Sequence, residues 1–548
     1  MLTNKEISKT FKLTAQLMEL HEENSFKIKS YSNAAFKIDR LPKQLNEYSV
    51  QEISNLEGIG KSISACISQL LSLGNFPELS RIIEITPPGV IEMLAIKGVG
   101  PKKIAVIWKT LNIESPGELL YACNENRLID LKGFGLKTQL MIKQAIEYKI
   151  SNSGKFHYAM AAMFAKQLVD FLKESLKTEL ISLTGEIRRK CEIVTCIDVL
   201  ISAVKEPEIS AFNDAYNPSS IPVNFILCHA EDFYLKLFET TASSDHIAII
   251  QKNSAWENIE NQKYSNEKDI YSKINLPFII PELREGKFEF SWIKDNKEED
   301  LISYEDLKGV LHVHTTYSDG MHSLEEMAVH CKKSGFEYLG ICDHSQSAFY
   351  ANGLKPDRIL AQQMEIDLLN QKLFPFKIFK GIESDILNSG ELDYSEEILK
   401  TFDFVVASVH SNLKMDEEKA TMRLLKAIEN PYTTILGHMT GRLLLSREGY
   451  PVNYEKIIDA CAANNVIIEL NAHPYRLDMD WRKIPYAINK GVKISINPDS
   501  HQKESYNDMY WGTCAARKGG LIKAMTFNTL SISEIENYFR LKKTNTSF

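Results

Sequence analysis

Residues 308–315 read Lys308-Gly309-Val310-Leu311-His312-Val313-His314-Thr315, a short apolar run carrying two histidines two positions apart. Side chains alternate across a strand, so this spacing predicts a strand that turns both imidazoles to one face, as a metal site requires. Asp319 follows in Tyr317-Ser318-Asp319-Gly320.

The same design recurs downstream. Apolar runs end in Asp343-His344, in Glu383-Ser384-Asp385, in His410-Ser411 and in His438. Two more, Val466–Leu470 and Lys493–Asn497, end in Asn471 and in Asp499-Ser500-His501. Helical stretches such as SLEEMAVHCKKSG (323–335) and YEKIIDACAANN (454–465) lie between them. Seven short strands alternating with helices predict a (β/α) barrel whose C-terminal rim gathers these residues. Nine of the thirteen histidines lie beyond residue 300. His322, His330 and His473 are read as ordinary core or surface residues. The other six, with Asp319, Glu383 and Asp499, form the candidate metal site. Mixed imidazole and carboxylate ligation suits Zn, Mn or Fe better than Mg. Arg442 and Arg476 stand near the same strand ends, where each either clamps a phosphate or forms a rim salt bridge.

A charged linker, Lys294–Asp300, precedes the barrel, and the segment before it contains LTGEIRRKCEIVTCIDVLIS (183–202). Cys196–Leu200 reads as a buried strand bearing a single acid, Asp198. Two acids at alternate positions would share a face and could hold a divalent ion, which one acid flanked by cysteine cannot do.

Three similar pieces recur before residue 140: Leu56–Lys61, Ile96–Lys102 and Leu131–Lys137. Each sets glycines two apart, where a tight turn with positive φ costs little, and then starts an amphipathic helix whose free N–H groups favour an anion. This is the helix-hairpin-helix device, which grips a DNA phosphate without reading bases. The expected contacts are the backbone around Gly58, Gly60, Gly98, Gly100, Gly133 and Gly135, with Lys61, Lys102, Lys103 and Lys137 close by.

The totals agree with this layout. At 548 residues the chain exceeds one hydrophobic core, and 44% hydrophobic with 25% charged residues is a soluble globular composition. The net charge of −8 disfavours non-specific nucleic-acid binding overall, but residues 1–150 carry 19 Lys or Arg against 16 Asp or Glu. Any DNA contact is therefore expected toward the N-terminal end. No run of 18 apolar residues suggests a membrane span, the N-terminus has no signal-peptide core, and nine cysteines without CxxC pairs suit a reducing cytoplasm. The expectation is a cytoplasmic monomer.

The hairpins, together with ENSFKIKSYSNAAFKI (23–38), resemble the lyase-like and fingers domains of bacterial family X DNA polymerases. LHVHTTYSDG (311–320) and INPDSH (496–501) are similar to the polymerase-and-histidinol-phosphatase (PHP) domain that follows the polymerase part in that family. The resemblance implies a multidomain α/β protein. Residues 1–80 would be a helical lyase-like domain, 81–152 a fingers-like domain, 153–235 an α+β nucleotidyltransferase-like palm, 236–295 a thumb and 305–548 a distorted (β/α)7 PHP barrel.

It also implies three divalent ions. His312, His314, Glu383 and Asp499 would hold one; Glu383, His410 and His438 a second; Asp319, His344 and His501 a third, with Glu383 and Asp499 closest to the chemistry. Such a cluster activates water and polarises a phosphoryl group. In the palm, Gly185, Arg188, Arg189 and Asp198 match the family pattern, whereas Glu186 replaces a serine and Cys196 and Asn224 replace two metal-binding acids. Cys66 stands where the family's Schiff-base lysine would be, and a thiol cannot do that step. The expected function is a metal-dependent 3′→5′ exonuclease acting on DNA ends, gaps or abasic sites, without polymerase activity. A small-molecule phosphomonoesterase and a non-catalytic DNA-repair scaffold are the alternatives.

Overall fold

The computed structural model describes residues 2–544 except 57–58, 125–126, 130, 132, 218, 254 and 260–261, and divides into two compact units, Met1–Ser153 and Gly154–Phe548. The border at Ser153 lies beside the expected one at 152. The expected subdivisions near 80, 235 and 295–305 fall inside these units.

The first unit is helical. Its helices Lys61–Leu73 and Pro101–Leu111 begin on Gly60 and Gly100, which are extended, with ψ near 165° and 167°. Helix Leu136–Ser151 starts the same way, Gln139 N–H donating to the Gly135 carbonyl at 3.0 Å. Gly98 and Gly133 both have φ of +86°, which explains the glycine at the first position of each turn. A Cβ on Gly60, Gly100, Gly133 or Gly135 would meet nothing within 4 Å, so the turn backbone is accessible. Gly58 lies outside the described residues. Lys61, Lys102 and Lys137 are exposed, and Lys103 lies 5.7 Å over the Phe134 ring. The Cys66 thiol lies 3.4 Å from the Tyr31 hydroxyl.

The second unit contains a mixed α/β body and a barrel. In the body, strands β1 (Phe156–His157) and β3 (Ile193–Val194) pair antiparallel. Strand β4 (Ile197–Ser202) runs between β2 (Ile181–Thr184), antiparallel to it, and β5 (Val223–Cys228), parallel to it. Asp198 sits in register with Thr184 on one side and Asn224 on the other.

The barrel strands among the described residues are β6 (Gly309–Val313), β7 (Tyr338–Ile341), β8 (Lys377–Asp385), β9 (Phe404–Ser408), β10 (Ile435–Leu436), β11 (Ile467–Asn471) and β12 (Ile494–Asn497). They are parallel and hydrogen-bonded in sequence order, and the ends meet where His314 N–H donates to the Ser500 carbonyl at 2.8 Å. Leu311, Tyr338, Phe379, Phe404, Ile435 and Ile467 form one buried cluster with Ile535 and Phe539 of the last helix, Ile532–Thr544. Phe539 stacks on Phe404 at 5.0 Å. Glycine is required beside that ring, since a Cβ on Gly340 or Gly381 would come within 2.6 Å of Phe404. A second apolar layer packs the outer face of the strands against the helices.

Strand β6 departs from the expected regular alternation. Its pairing with β7 is irregular between Val310 and Val313, and His312 has φ of +59°. Val310 and Val313 consequently share the outer layer while Leu311 joins the inner cluster. A bulge of this kind redirects a side chain, and here it turns His312 toward the site.

Three carboxylates neutralise the cations of the body, and two of them, Glu282 and Glu285, also bind it to the barrel helix Met509–Lys518. Arg188 and Arg284 both pair with Glu267; Arg189 and Lys518 pair with Glu285; Lys190 and Arg517 pair with Glu282, the last at 2.7 Å. Burial alone would raise these three carboxyls, but the facing cations hold each below its ordinary 4.5. A depressed carboxylate adds stability above its unfolded pKa that is lost on acidification. The unit should therefore weaken as pH falls below about 4.5. Glu285→Gln, which strands Arg189 and Lys518, should cost about 3 kcal/mol at pH 7 in urea melts and flatten that acid dependence.

Candidate metal centre

All nine predicted donors converge at the C-terminal end of the barrel. Glu383, at the end of β8 and only 1% exposed, is the hub. Its Oε1 lies 3.1 Å from His312 Nε2, 3.1 Å from His438 Nε2 and 3.2 Å from His410 Nε2. Its Oε2 lies 2.9 Å from His344 Nδ1 and 3.6 Å from His314 Nε2. Asp499 Oδ1 is 3.1 Å from His314 Nε2 and 3.6 Å from His312 Nε2. Asp319 Oδ1 completes the set, 3.4 Å from His501 Nε2, 3.7 Å from His344 Nε2 and 3.9 Å from His314 Nδ1.

Three groups among the described residues have donor atoms close enough to share an ion: His314 with Asp319, His344 and His501; His312 with His314 and Asp499; and His344 with Glu383 and His410. The division differs from the expected one. His314 stands between two groups, with Nε2 toward Asp499 and Nδ1 toward Asp319, and His344 likewise belongs to two.

The donor chemistry fits metal ions. His312 Nε2, His314 Nδ1, His438 Nδ1 and Glu383 Oε2 are buried without a hydrogen-bond partner, a costly condition that a cation would relieve at the atoms facing the hub. Electrostatics show the same crowding. Burial opposes protonation of His410, yet Glu383 and Asp385 outweigh it and push it up to about 10. His314, buried between His501 and His344, is driven down to about 3.

Sequence reasoning missed the groups that orient these ligands. Glu469, fully buried on β11, accepts from His312 Nδ1 at 2.6 Å, from the Asn497 amide at 2.9 Å and from the Asn471 amide at 3.1 Å. An ionised carboxylate only accepts, so His312 carries its proton on Nδ1 and presents the Nε2 lone pair to the hub. Asp385 does the same for His410 Nδ1. Asp343 accepts from Thr315 N–H at 2.8 Å and Ser318 N–H at 3.1 Å, and so anchors the loop that carries Asp319. The available signal was an acid inside an apolar strand, which must be paired to be tolerated.

The two arginines separate. Arg442, read from the sequence as either a phosphate clamp or a rim salt bridge, donates to the carbonyls of Arg476 and Leu477 and pairs with Asp480, so its guanidinium is spent on holding a loop. Arg476 has no such engagement in the described contacts, and its charge contributes to lowering His438, after the larger effect of burial.

In the body, Asp198 Oδ1 accepts from the Asn224 amide at 3.1 Å and lies 3.4 Å from the Cys196 thiol. Gly185, at φ +61°, packs so close that a Cβ there would lie 2.3 Å from Asp198 Oδ2. Glu186 accepts from the Thr195 amide at 2.9 Å. Arg188 and Arg189 are committed to Glu267 and Glu285. All three donor groups described above lie in the barrel.

A helix-hairpin-helix domain model matches residues 2–76, a SAM-like helix-hairpin-helix tandem residues 90–147, and a PHP domain residues 311–473. The DNA polymerase/3′-5′ exonuclease PolX of Bacillus subtilis (strain 168) is 32% identical over 568 residues, spanning 98% of this chain and 99% of that protein. The chain belongs to the family X DNA polymerase-like proteins that carry a PHP domain. Two probable phosphatases match a smaller part of the chain. A probable phosphatase of Thermoanaerobacter sp. (strain X514) is 26% identical over 249 residues, 42% of this chain and 94% of that protein. Another, from Acetivibrio thermocellus, is 29% identical over 199 residues, 35% of this chain and 78% of that protein.

Glu469→Gln and Asp385→Asn should each weaken metal binding about 10- to 100-fold with little loss of fold, as read by metal content after dialysis against a competing chelator.

Proposed function

We propose that this family X protein is a metal-dependent phosphodiesterase that shortens DNA from the 3′ end, and that its polymerase activity is lost. The observation that carries the reading is the contrast between its two sites. Nine donors, Glu383 among them, gather in the barrel, while the body keeps one acid at the family's metal positions, Asp198, whose neighbours are an amide and a thiol. Two Mg²⁺ ions require several hard oxygen ligands, and a single carboxylate does not supply them.

In this reading His312, His314, Asp319, His344, Glu383, His410, His438, Asp499 and His501 hold three divalent ions of the Zn, Mn or Fe class. Such ions, when bound, supply Lewis acidity and an activated water. The protein's own groups do the rest. Glu469 and Asp385 keep His312 and His410 in the tautomer that offers Nε2. Asp343 fixes the Asp319 loop. Arg476 receives the phosphate, with Arg442 holding its loop in place. The hairpin backbones at Gly60, Gly100 and Gly135, with Lys61, Lys102, Lys103 and Lys137, grip the DNA phosphates at ends, gaps or abasic sites. Nine unbridged cysteines suit a cytoplasmic protein, taken here as a monomer.

Similarity to probable phosphatases favours one second reading, a small-molecule phosphomonoesterase. One experiment separates the two. With Mn²⁺, the protein should shorten a labelled 3′-recessed duplex and leave histidinol phosphate intact, and a chelator should stop it. His312→Ala should lose about a hundredfold or more of the rate. Phosphate release from the small molecule alone would overturn the exonuclease reading. Primer-extension assays with Mg²⁺ or Mn²⁺ should show no template-directed product.

A further inference from the structure

The loop after β11 holds a ring that the metal chemistry does not use. Tyr475 remains 43% exposed, although its neighbours in the loop are half-buried or buried. Its ring packs against His157, from β1 of the body, with centroids 4.3 Å apart and planes at 39°. His157 is itself fixed, its Nε2 lying 3.0 Å from the Leu444 carbonyl oxygen, and Leu444 N–H donates to the Tyr475 carbonyl at 2.7 Å.

The loop hangs directly from the metal centre. Asn471, at the end of β11, donates its amide to Asp499 Oδ2 at 3.2 Å and accepts from His473 N–H at 3.1 Å. Tyr475 N–H in turn donates to His473 Nδ1 at 3.2 Å. Arg442 fastens the far side through the carbonyls of Arg476 and Leu477. Tyr475 therefore stands four residues from a group that touches a candidate ligand, on a backbone tied at both ends. Next to it is Arg476, whose charge reaches His438. Adjacent positions thus offer an aromatic face and a guanidinium, which match the two recognisable parts of a nucleotide, its base and its phosphate. Stacking on a ring is tolerant of base identity, as a nuclease working along a strand requires.

We propose that Tyr475, braced by His157, is the stacking platform for the nucleobase at the scissile end of the DNA. The assignment rests on the exonuclease reading above and gives the body a part in the barrel's chemistry, since His157 supports the ring. Tyr475 acts as a positioning residue in ground-state binding, so its loss should appear mainly in KM.

The test compares two labelled duplexes, one ending in an ordinary 3′ nucleotide and one in a base-less tetrahydrofuran residue, cut by the full chain with Mn²⁺. Tyr475→Ala should lower kcat/KM about tenfold on the ordinary end, chiefly through KM, and leave the base-less end within about twofold. Tyr475→Phe should retain the wild-type preference, because the ring and not the hydroxyl stacks. Equal losses on both substrates would assign Tyr475 a purely structural role and overturn the platform, as would no loss on either. A wild-type protein that shortens neither duplex overturns the exonuclease reading itself, and the platform with it.

Discussion

A carboxylate buried to 1% exposure at the centre of a protein must be surrounded by compensating charge or donors, and Glu383 sets that condition for the whole barrel. Four imidazoles from β6, the loop after β9, the end of β10 and the segment after β7 come within 3.2 Å of it. Each imidazole so placed needs its own support. His312 is held by Glu469, which is held by Asn471 and Asn497; His410 is held by Asp385. The inner positions of the strands are therefore apolar at one end, around Phe404 and Phe539, and polar at the other. The closed sheet is thus filled at one end by a mutually dependent polar set and at the other by aromatic rings.

The α/β body shows the opposite outcome. Asp198 keeps company with residues that satisfy it without a cation: Asn224, which supplies a donor where an acid would repel, and Cys196. Glu186 finds its donors on Thr195. The half-buried arginines beside them pair with Glu267 and Glu285, so the positive charge that could meet a triphosphate is already matched within the protein. The barrel centre has unsatisfied ring nitrogens that demand a partner, whereas the set around Asp198 is internally balanced. This physical difference makes the barrel end, and not the surroundings of Asp198, the place where a cation is favoured.

Much of this was legible in the sequence because short-range patterns report it. Apolar runs ending in His, Asp or Glu marked the strand ends, and glycines two apart marked the turns at Gly98 and Gly133. What escaped depends on contacts between distant segments. Glu469 looked like any acid in an apolar run until the fold brought His312 to it across 157 residues. The bulge at His312 was hidden because a regular strand would also have given two histidines on one face. Arg442 resembled a phosphate clamp by position, and only the loop at 476–480 shows its donors already used. The floor of the barrel was missed because a C-terminal amphipathic helix carries no mark of what it will cover.

The same electrostatics tie the body to the barrel. Glu282 and Glu285 face Arg517 and Lys518 of the barrel helix, Arg482 pairs with Glu192 at 3.1 Å, and Trp292 donates to the Gly520 carbonyl at 2.9 Å. A chain that discarded the body would leave Lys518, buried to 2%, without its carboxylate, and Tyr475 without the ring beneath it. Buried charges tolerate exchange of both partners far better than loss of one. Glu282 and Glu285 are such partners, and their pairs with Arg517 and Lys518 tie the body to the barrel helix.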